Sequence, residues 1–280
     1  MRNTIAGLKR PLILNVVIYA MLFMFILLFF VPIVWLGITS FKPREEIYIP
    51  ALTNNPNLVS YRTVLTRYAF DKYFFNSLVV AIVTTALVAI VAVLGAYGFT
   101  KHAYPGSKRI FFGCVILRML PFITLMLPLY IYVSRLRLMN TKTALVIANT
   151  IFNLPLALWI LESYFRSLPD EMLEAAKIDG ASRIGVLLRI VVPVSGPSIS
   201  TAIILTFLNT WNEFLFAFVT AANDRARTMT VGIALLSQQY GIRWDLMTAA
   251  GMLYMIPMLV FVICFQKYII SGLTLGAVKG

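Results

Sequence analysis

The sequence predicts an all-α, polytopic membrane protein with six transmembrane helices. Three observations carry that prediction. Hydrophobic residues make up 60% of the 280-residue chain and charged residues only 12%, where soluble domains run nearer 25% charged. Apolar runs of about twenty residues recur, long enough to cross a hydrocarbon layer as helices. The polar stretches between them are short, so residues 1–280 read as a single domain of spans and loops.

Residues 1–11 form a short basic tail with Arg2, Lys9 and Arg10. The first span covers 12–38. It is too long for the apolar region of a signal peptide and no small-x-small cleavage site follows, so it reads as a retained span. The longest loop, 39–73, begins with turn formers Pro43, Pro50, Asn54, Asn55 and Pro56. Tyr61, Val64, Leu65 and Tyr68 then recur at helical spacing after Ser60 and predict a short amphipathic helix at the membrane surface. The second span covers 74–100 and ends in a basic Pro-Gly turn. The third covers 110–133, with kinks expected at Pro121 and Pro128. The fourth, 144–165, contains Asn149, Asn153 and Pro155. The fifth and sixth cover 198–222 and 246–270.

Residues 166–197, between the fourth and fifth spans, form a polar, tightly punctuated segment that reads as a helical hairpin. Ser167 and Asp170 have capping-box spacing around Pro169, predicting a helix over 168–178. Gly180 follows as a left-handed stop. Ser182 is placed to cap a second helix, on which Ile184, Leu187, Leu188 and Val191 form an i, i+3, i+4, i+7 stripe. Pro193 and Pro197 mark entry to the fifth span.

This segment resembles the EAA loop of permease subunits in binding-protein-dependent ABC importers. The family pattern stands here as Glu174-Ala175-Ala176, Gly180, Ile190 and Pro193, and Asp179-Gly180-Ala181 resembles the carbohydrate-uptake class, in particular its smaller, maltose-type permease. The resemblance is specific over residues 76–280. It implies that Glu174, Ala175, Ala176, Asp179 and Gly180 dock a separate ATPase, which binds ATP and Mg and drives the spans between inward-open and outward-open states. It implies further partners: a second permease, an ATPase dimer and an extracytoplasmic solute-binding protein meeting loops 39–73 and 223–245. It also implies a bacterial inner-membrane location with both termini cytoplasmic. Family members often carry an aromatic where Leu187 or Leu188 stands.

Charge does not orient the chain independently. With six spans, both termini and the 166–197 loop share one side, and Lys plus Arg divide 12 on that side to 11 on the other. The net charge of +13 is scattered over loops without a nucleic-acid motif, so lipid headgroups and protein partners are expected rather than nucleic acid. The two cysteines, Cys114 and Cys264, lie in apolar runs, and the single histidine, His102, cannot assemble a metal site. No Walker A pattern and no nucleophile–histidine arrangement is present, so no catalytic residue and no cofactor is expected in this chain.

Two further places could carry function. The tail over 272–280, with Gly276, Lys279 and Gly280, reads from its small residues as a flexible end. By resemblance to one subset of the class it reaches between the ATPase subunits. Asn209, Trp211, Asn212 and Glu213 place amides, an indole and a carboxylate within the fifth span. Such groups either face a cavity, where tryptophan stacks on a sugar ring and the others bond its hydroxyls, or bond a neighbouring span. Arg118 is the other charge at membrane depth, and an Arg118–Glu213 ion pair is one expectation. An ion-coupled secondary transporter of a small polar solute is the alternative reading, though the chain shows one membrane carboxylate and no repeat.

Overall fold

The structure is a computed structural model that describes residues 12–102, 104–237 and 242–277, with backbone alone for Leu12, Ile13, Lys177 and 267–277. Among the described residues every regular element is helical. Four helices are long and apolar enough to cross a membrane, and two bent pairs bring the number to six if each pair is one span.

The chain divides into two compact units, residues 1–64 with 243–253 and residues 65–242 with 254–280. In the first unit, α1 (Leu12–Ser40) is exposed on all sides along its apolar length. Its last turn is tied to the following loop. Ser40 Oγ donates to the Gly37 carbonyl at 2.6 Å and shares a hydrogen bond with the Tyr61 hydroxyl at 2.7 Å. Lys42, buried, donates to the Ile49 carbonyl at 2.7 Å and sits 4.8 Å from the Trp35 ring centre. The expected short helix is present as α2 (Val59–Arg67), with Val64 fully buried.

The second unit is organised on α3 (Phe70–Lys101) and α6 (Lys142–Arg166), which pack along their lengths. Small residues make that approach close, as expected for helices in lipid. Ala92, Ala96 and Ala157 are buried in the contact, and a Cβ on Gly95 would stand 2.8 Å from Leu158 Cδ2. The α6 N-terminus is capped by Thr141, whose Oγ1 accepts from the Ala144 N–H at 3.2 Å.

The third span is broken rather than kinked. It consists of α4 (Ser107–Met119) and α5 (Phe122–Arg135), bent by 104°. Pro121 causes the break. A proline disfavours the helical region for the residue before it, and Leu120 accordingly sits extended at φ −70°, ψ 138°. Pro128 is accommodated inside α5.

The polar segment after α6 is a helical hairpin with two differences from expectation. Its first helix, α7, is Asp170–Ile178 and excludes Leu168 and Pro169. Ser167 does not cap it: its hydroxyl turns back to donate to the Tyr164 carbonyl at 2.7 Å, closing α6 instead. Gly180 takes φ +84°, and the Ala181 N–H reaches back to the Ala176 carbonyl at 3.0 Å, a left-handed stop. Ser182 Oγ accepts the Gly185 N–H at 3.1 Å and caps α8 (Arg183–Val194). Within α8 the turn Leu187–Val191 is π-helical, with the Val192 N–H bonded to the Leu187 carbonyl. That extra residue shifts the helix phase. It brings Val191 round to the side of Val186 and Leu187, and these three are buried, whereas Ile184 and Leu188, expected in the same stripe, are exposed.

An 80° bend at Ser195 joins α8 to α9 (Gly196–Trp211). Beyond a break at 212–214 comes α10 (Leu215–Thr220), so the fifth span too is interrupted near its end. Then α11 (Met229–Leu235) packs on α3. Finally α12 (Trp244–Ala277) runs from the first unit into the second. Its helix includes Gly276, where the tail had been expected to be flexible, while Lys279 and Gly280 lie outside the described residues.

Candidate functional site

Two sites in the second unit hold the residues singled out by sequence. The first is the α7–α8 hairpin. Its inner face is apolar: Leu173, Ala176, Val186, Leu187 and Val191 join Tyr97 of α3 and Leu161 and Phe165 of α6 in one core. At about 25 cal/mol per Å² of buried apolar surface, contacts of this kind seat the hairpin without fixing a direction. Polar ties are few. Lys101 donates to Asp170 Oδ1 at 2.7 Å and to the Leu168 carbonyl at 2.9 Å. The Tyr97 hydroxyl donates to the Arg183 carbonyl at 3.3 Å, and the Tyr164 hydroxyl to the Val194 carbonyl at 3.2 Å.

The outer face carries Glu174, Ala175, Asp179 and Gly180, all exposed. Ala176 does not share it. Only 8% exposed, it points into the core because it follows Leu173 by three residues on the buried side of α7. The docking face expected from Ala175 and Ala176 together is therefore Ala175 alone, flanked by Glu174 and Asp179. Sequence reasoning missed its apolar component: Ile178 is 86% exposed, and Ile184 and Leu188 are exposed beside it in the chain order of the hairpin. These three large aliphatics are left uncovered beside the loop's carboxylates. The signal was available at Ile178, an isoleucine one residue before Asp179-Gly180.

The second site lies midway along α6. Asn153 Nδ2 donates to the Asn149 carbonyl at 2.8 Å and to Thr210 Oγ1 at 3.3 Å, and its Oδ1 accepts from Asn209 Nδ2 at 3.1 Å. These bonds tie α6 to α9 and border a cavity of about 280 Å³ lined also by Arg118, Phe122, Phe152, Asn212 and Glu213. Asn149 and Asn153 were visible as amides in the fourth span but carried no assigned role. Their i, i+4 spacing, which puts both on one helix face, was the usable signal.

The four residues of the fifth span divide. Asn209, Asn212 and Glu213 line the cavity; Trp211 does not. The indole is 2% exposed, with Phe207 stacked at 6.0 Å and Tyr254 at 5.5 Å and the edge of Phe74 against it, so no ring face is open to a sugar. The Tyr254 hydroxyl donates to Asn212 Oδ1, and Asn212 Nδ2 donates to the Leu208 carbonyl at 2.7 Å.

The expected Arg118–Glu213 ion pair is absent. Glu213 spends both carboxylate oxygens on backbone, accepting from Phe216 N–H at 2.6 Å and Ala217 N–H at 3.1 Å. These are the orphan donors at the start of α10, where the helix dipole also favours a negative charge. Arg118 lines the same cavity and a neighbouring one of about 390 Å³, with no hydrogen bond or ion pair to another described residue.

Known proteins place these features in context. A family described as binding-protein-dependent transport system inner membrane component matches residues 105–274. The trehalose/maltose transport system permease protein of Thermococcus litoralis is 38% identical over 98% of both chains. The sulfoquinovosyl glycerol transport system permease protein of Agrobacterium fabrum is 34% identical over 89% of this chain and 88% of its own. Among solved structures, a chain of a bacterial ABC transporter that imports the acidic polysaccharide alginate superposes with a TM-score of 0.77. It covers 91% of this chain and 96% of that one at 20% identity, a likeness of fold.

Proposed function

The chain belongs to the binding-protein-dependent transport system inner membrane components, and on that premise we propose that it is the transmembrane subunit of an ABC importer for a sugar or related polyhydroxylated solute. Relatives named as permeases for trehalose/maltose and for sulfoquinovosyl glycerol support the solute class. The ion-coupled alternative has no comparable support.

The observation that carries the reading is the hairpin. It presents Glu174, Ala175 and Asp179 beside exposed Ile178 on a seat of apolar contacts against α3 and α6. The carboxylates suit charge-assisted bonds to arginines across an interface, and the aliphatics suit an apolar groove. A separate ATPase dimer, carrying ATP and Mg, docks there and supplies the energy; this chain translocates and does not hydrolyse. Displacement of the hairpin passes to α3 and α6, and the middle of α6 borders the amide-lined cavity.

A second permease faces that cavity from the other side, completing the solute path with Asn209, Asn212 and Glu213. An extracytoplasmic binding protein docks on the loops at 39–73 and 223–245. Both termini are cytoplasmic, on the hairpin side, and the end of α12 near Gly276 approaches the ATPase. Trp211 braces α9 against α12 rather than touching solute.

The test is reconstitution. The chain, its partner permease and the ATPase in proteoliposomes are expected to hydrolyse ATP several-fold faster when the loaded binding protein is added, with uptake of labelled sugar. Uptake that follows an imposed proton or sodium gradient without ATP contradicts the reading.

A further inference from the structure

We propose that the transported solute carries an anionic group, a carboxylate, sulfonate or phosphate on a sugar, and that Arg118 is its ligand within the cavity between α4, α6 and α9. The inference rests on the importer reading above and deepens it. A guanidinium is always protonated, and a charge at membrane depth is costly unless compensated. Arg118 has no compensating partner among the described residues. Glu213 is the one carboxylate among the residues lining either cavity, and its oxygens are already held by the Phe216 and Ala217 N–H groups. The described residues supply no counter-charge; on this proposal the solute supplies it.

Position and surroundings choose among outside sources. The cavity lies beside Asn149 and Asn153, and Asn153 is about 16 Å along α6 at 1.5 Å per residue, half-way through a hydrocarbon core about 30 Å thick. A lipid phosphate rests at the interface, not at that depth. The rest of the lining is what a sugar acid needs. Asn209 and Asn212 are exposed on the lining, each amide keeping hydrogen-bonding capacity for a hydroxyl beyond the bonds already described, while buried Asn149 and Asn153 back them. Phe122 and Phe152, with ring centres 4.1 Å apart, border both cavities and offer apolar surface to a pyranose ring. Arg118 also borders both cavities, so a solute moving from one to the other stays beside the same cation. Its planar fork binds an oxyanion through two parallel hydrogen bonds.

The experiment uses the assembled transporter in lipid nanodiscs and measures equilibrium binding of two labelled trimers of equal ring count, trigalacturonate and maltotriose. Wild type is expected to bind trigalacturonate and to hold maltotriose at least tenfold more weakly. Arg118→Gln is expected to weaken trigalacturonate by roughly 10- to 100-fold, the loss typical of a charged hydrogen bond. Arg118→Lys, which keeps the charge, is expected to retain part of it. Three results overturn the proposal: maltotriose bound as tightly as trigalacturonate, no trigalacturonate binding at all, or an affinity unchanged in Arg118→Gln. If Arg118→Gln instead separates the two permeases while Arg118→Lys holds them together, Arg118 pairs with an acid of the second permease and the proposal fails. Binding-protein-stimulated ATP hydrolysis is read in the same samples. Its absence in wild type counts against the importer reading itself, and its presence without trigalacturonate binding counts against the anion site alone.

Discussion

The two ends of the α3–α6 pair are held by different forces. At one end the α7–α8 hairpin rests mainly on apolar contacts, with the Lys101–Asp170 ion pair, whose acid is 76% exposed, and hydrogen bonds from Lys101, Tyr97 and Tyr164 to its backbone. At the other end a polar network locks the loop after α10. The Tyr73 hydroxyl donates to Asp224 at 2.6 Å, and Arg227 donates to both at 3.0 Å. Asn76 donates to the carbonyls of Asp224 and Arg227 at 3.1 and 3.0 Å and accepts from Lys142 at 3.3 Å. Asn140 Oδ1 accepts the Ala222 and Asn223 N–H groups at 2.7 and 3.3 Å. Hydrogen bonds fix distance and angle; apolar contact is non-directional. The network end is fixed in distance and angle, whereas the hairpin end is seated mainly by packing.

The sharpest way to break this contrast is at Gly232 on the network end. A Cβ there would meet the Tyr73 ring at 2.5 Å and Phe70 Cζ at 3.2 Å. Gly232→Leu must push Tyr73 off its partners, costing about 1–3 kcal/mol in overpacking and a similar amount in buried groups left unpaired. A thermal melt of the purified complex should show a drop of several degrees. An unchanged melt denies that the network holds this end.

A smaller effect is expected at Gly180. Its φ of +84° has open space around it, so Gly180→Ala costs only backbone strain, about 1–2 kcal/mol. Because the strain falls on the hairpin exit, sugar uptake per ATP should fall more than the melting temperature does. Equal loss in both would remove the coupling role from this turn. Smallest of all is Lys101→Met, which removes an ion pair to a largely exposed acid and a hydrogen bond to the Leu168 carbonyl and should shift stability by about 1 kcal/mol. A large loss there would mean the hairpin is pinned electrostatically, against the contrast.

The spans were legible because each is a continuous apolar run, a signal that needs no tertiary information. Gly180 and Ser182 were legible for a similar reason, since a left-handed stop and a helix cap are local chemistry. Where reading failed, a competing contact decided. Ser167 had the spacing of a cap, but the Tyr164 carbonyl lay nearer its hydroxyl. Ile184 and Leu188 fitted a helical stripe, but the core took Val186 and Leu187, and one π turn brought Val191 to that face. Pro121 announced a kink, yet the extended Leu120 made it a 104° break. Trp211 had the chemistry to stack on a sugar but found Phe207 and Tyr254 first. The network of Tyr73, Asp224 and Arg227 joins residues about 150 positions apart, and no periodicity or motif reports such a pairing.

The central claim is that energy enters this chain through the outer face of the hairpin. A cysteine at Ala175, with Cys114 and Cys264 replaced, tests it most directly in the reconstituted complex. The account predicts crosslinking to the ATPase with an efficiency that changes when ATP is trapped, while a cysteine at core-facing Ala176 reacts far less. An active complex in which Ala175→Cys never crosslinks, or in which Ala176→Cys crosslinks as well as Ala175→Cys, contradicts it.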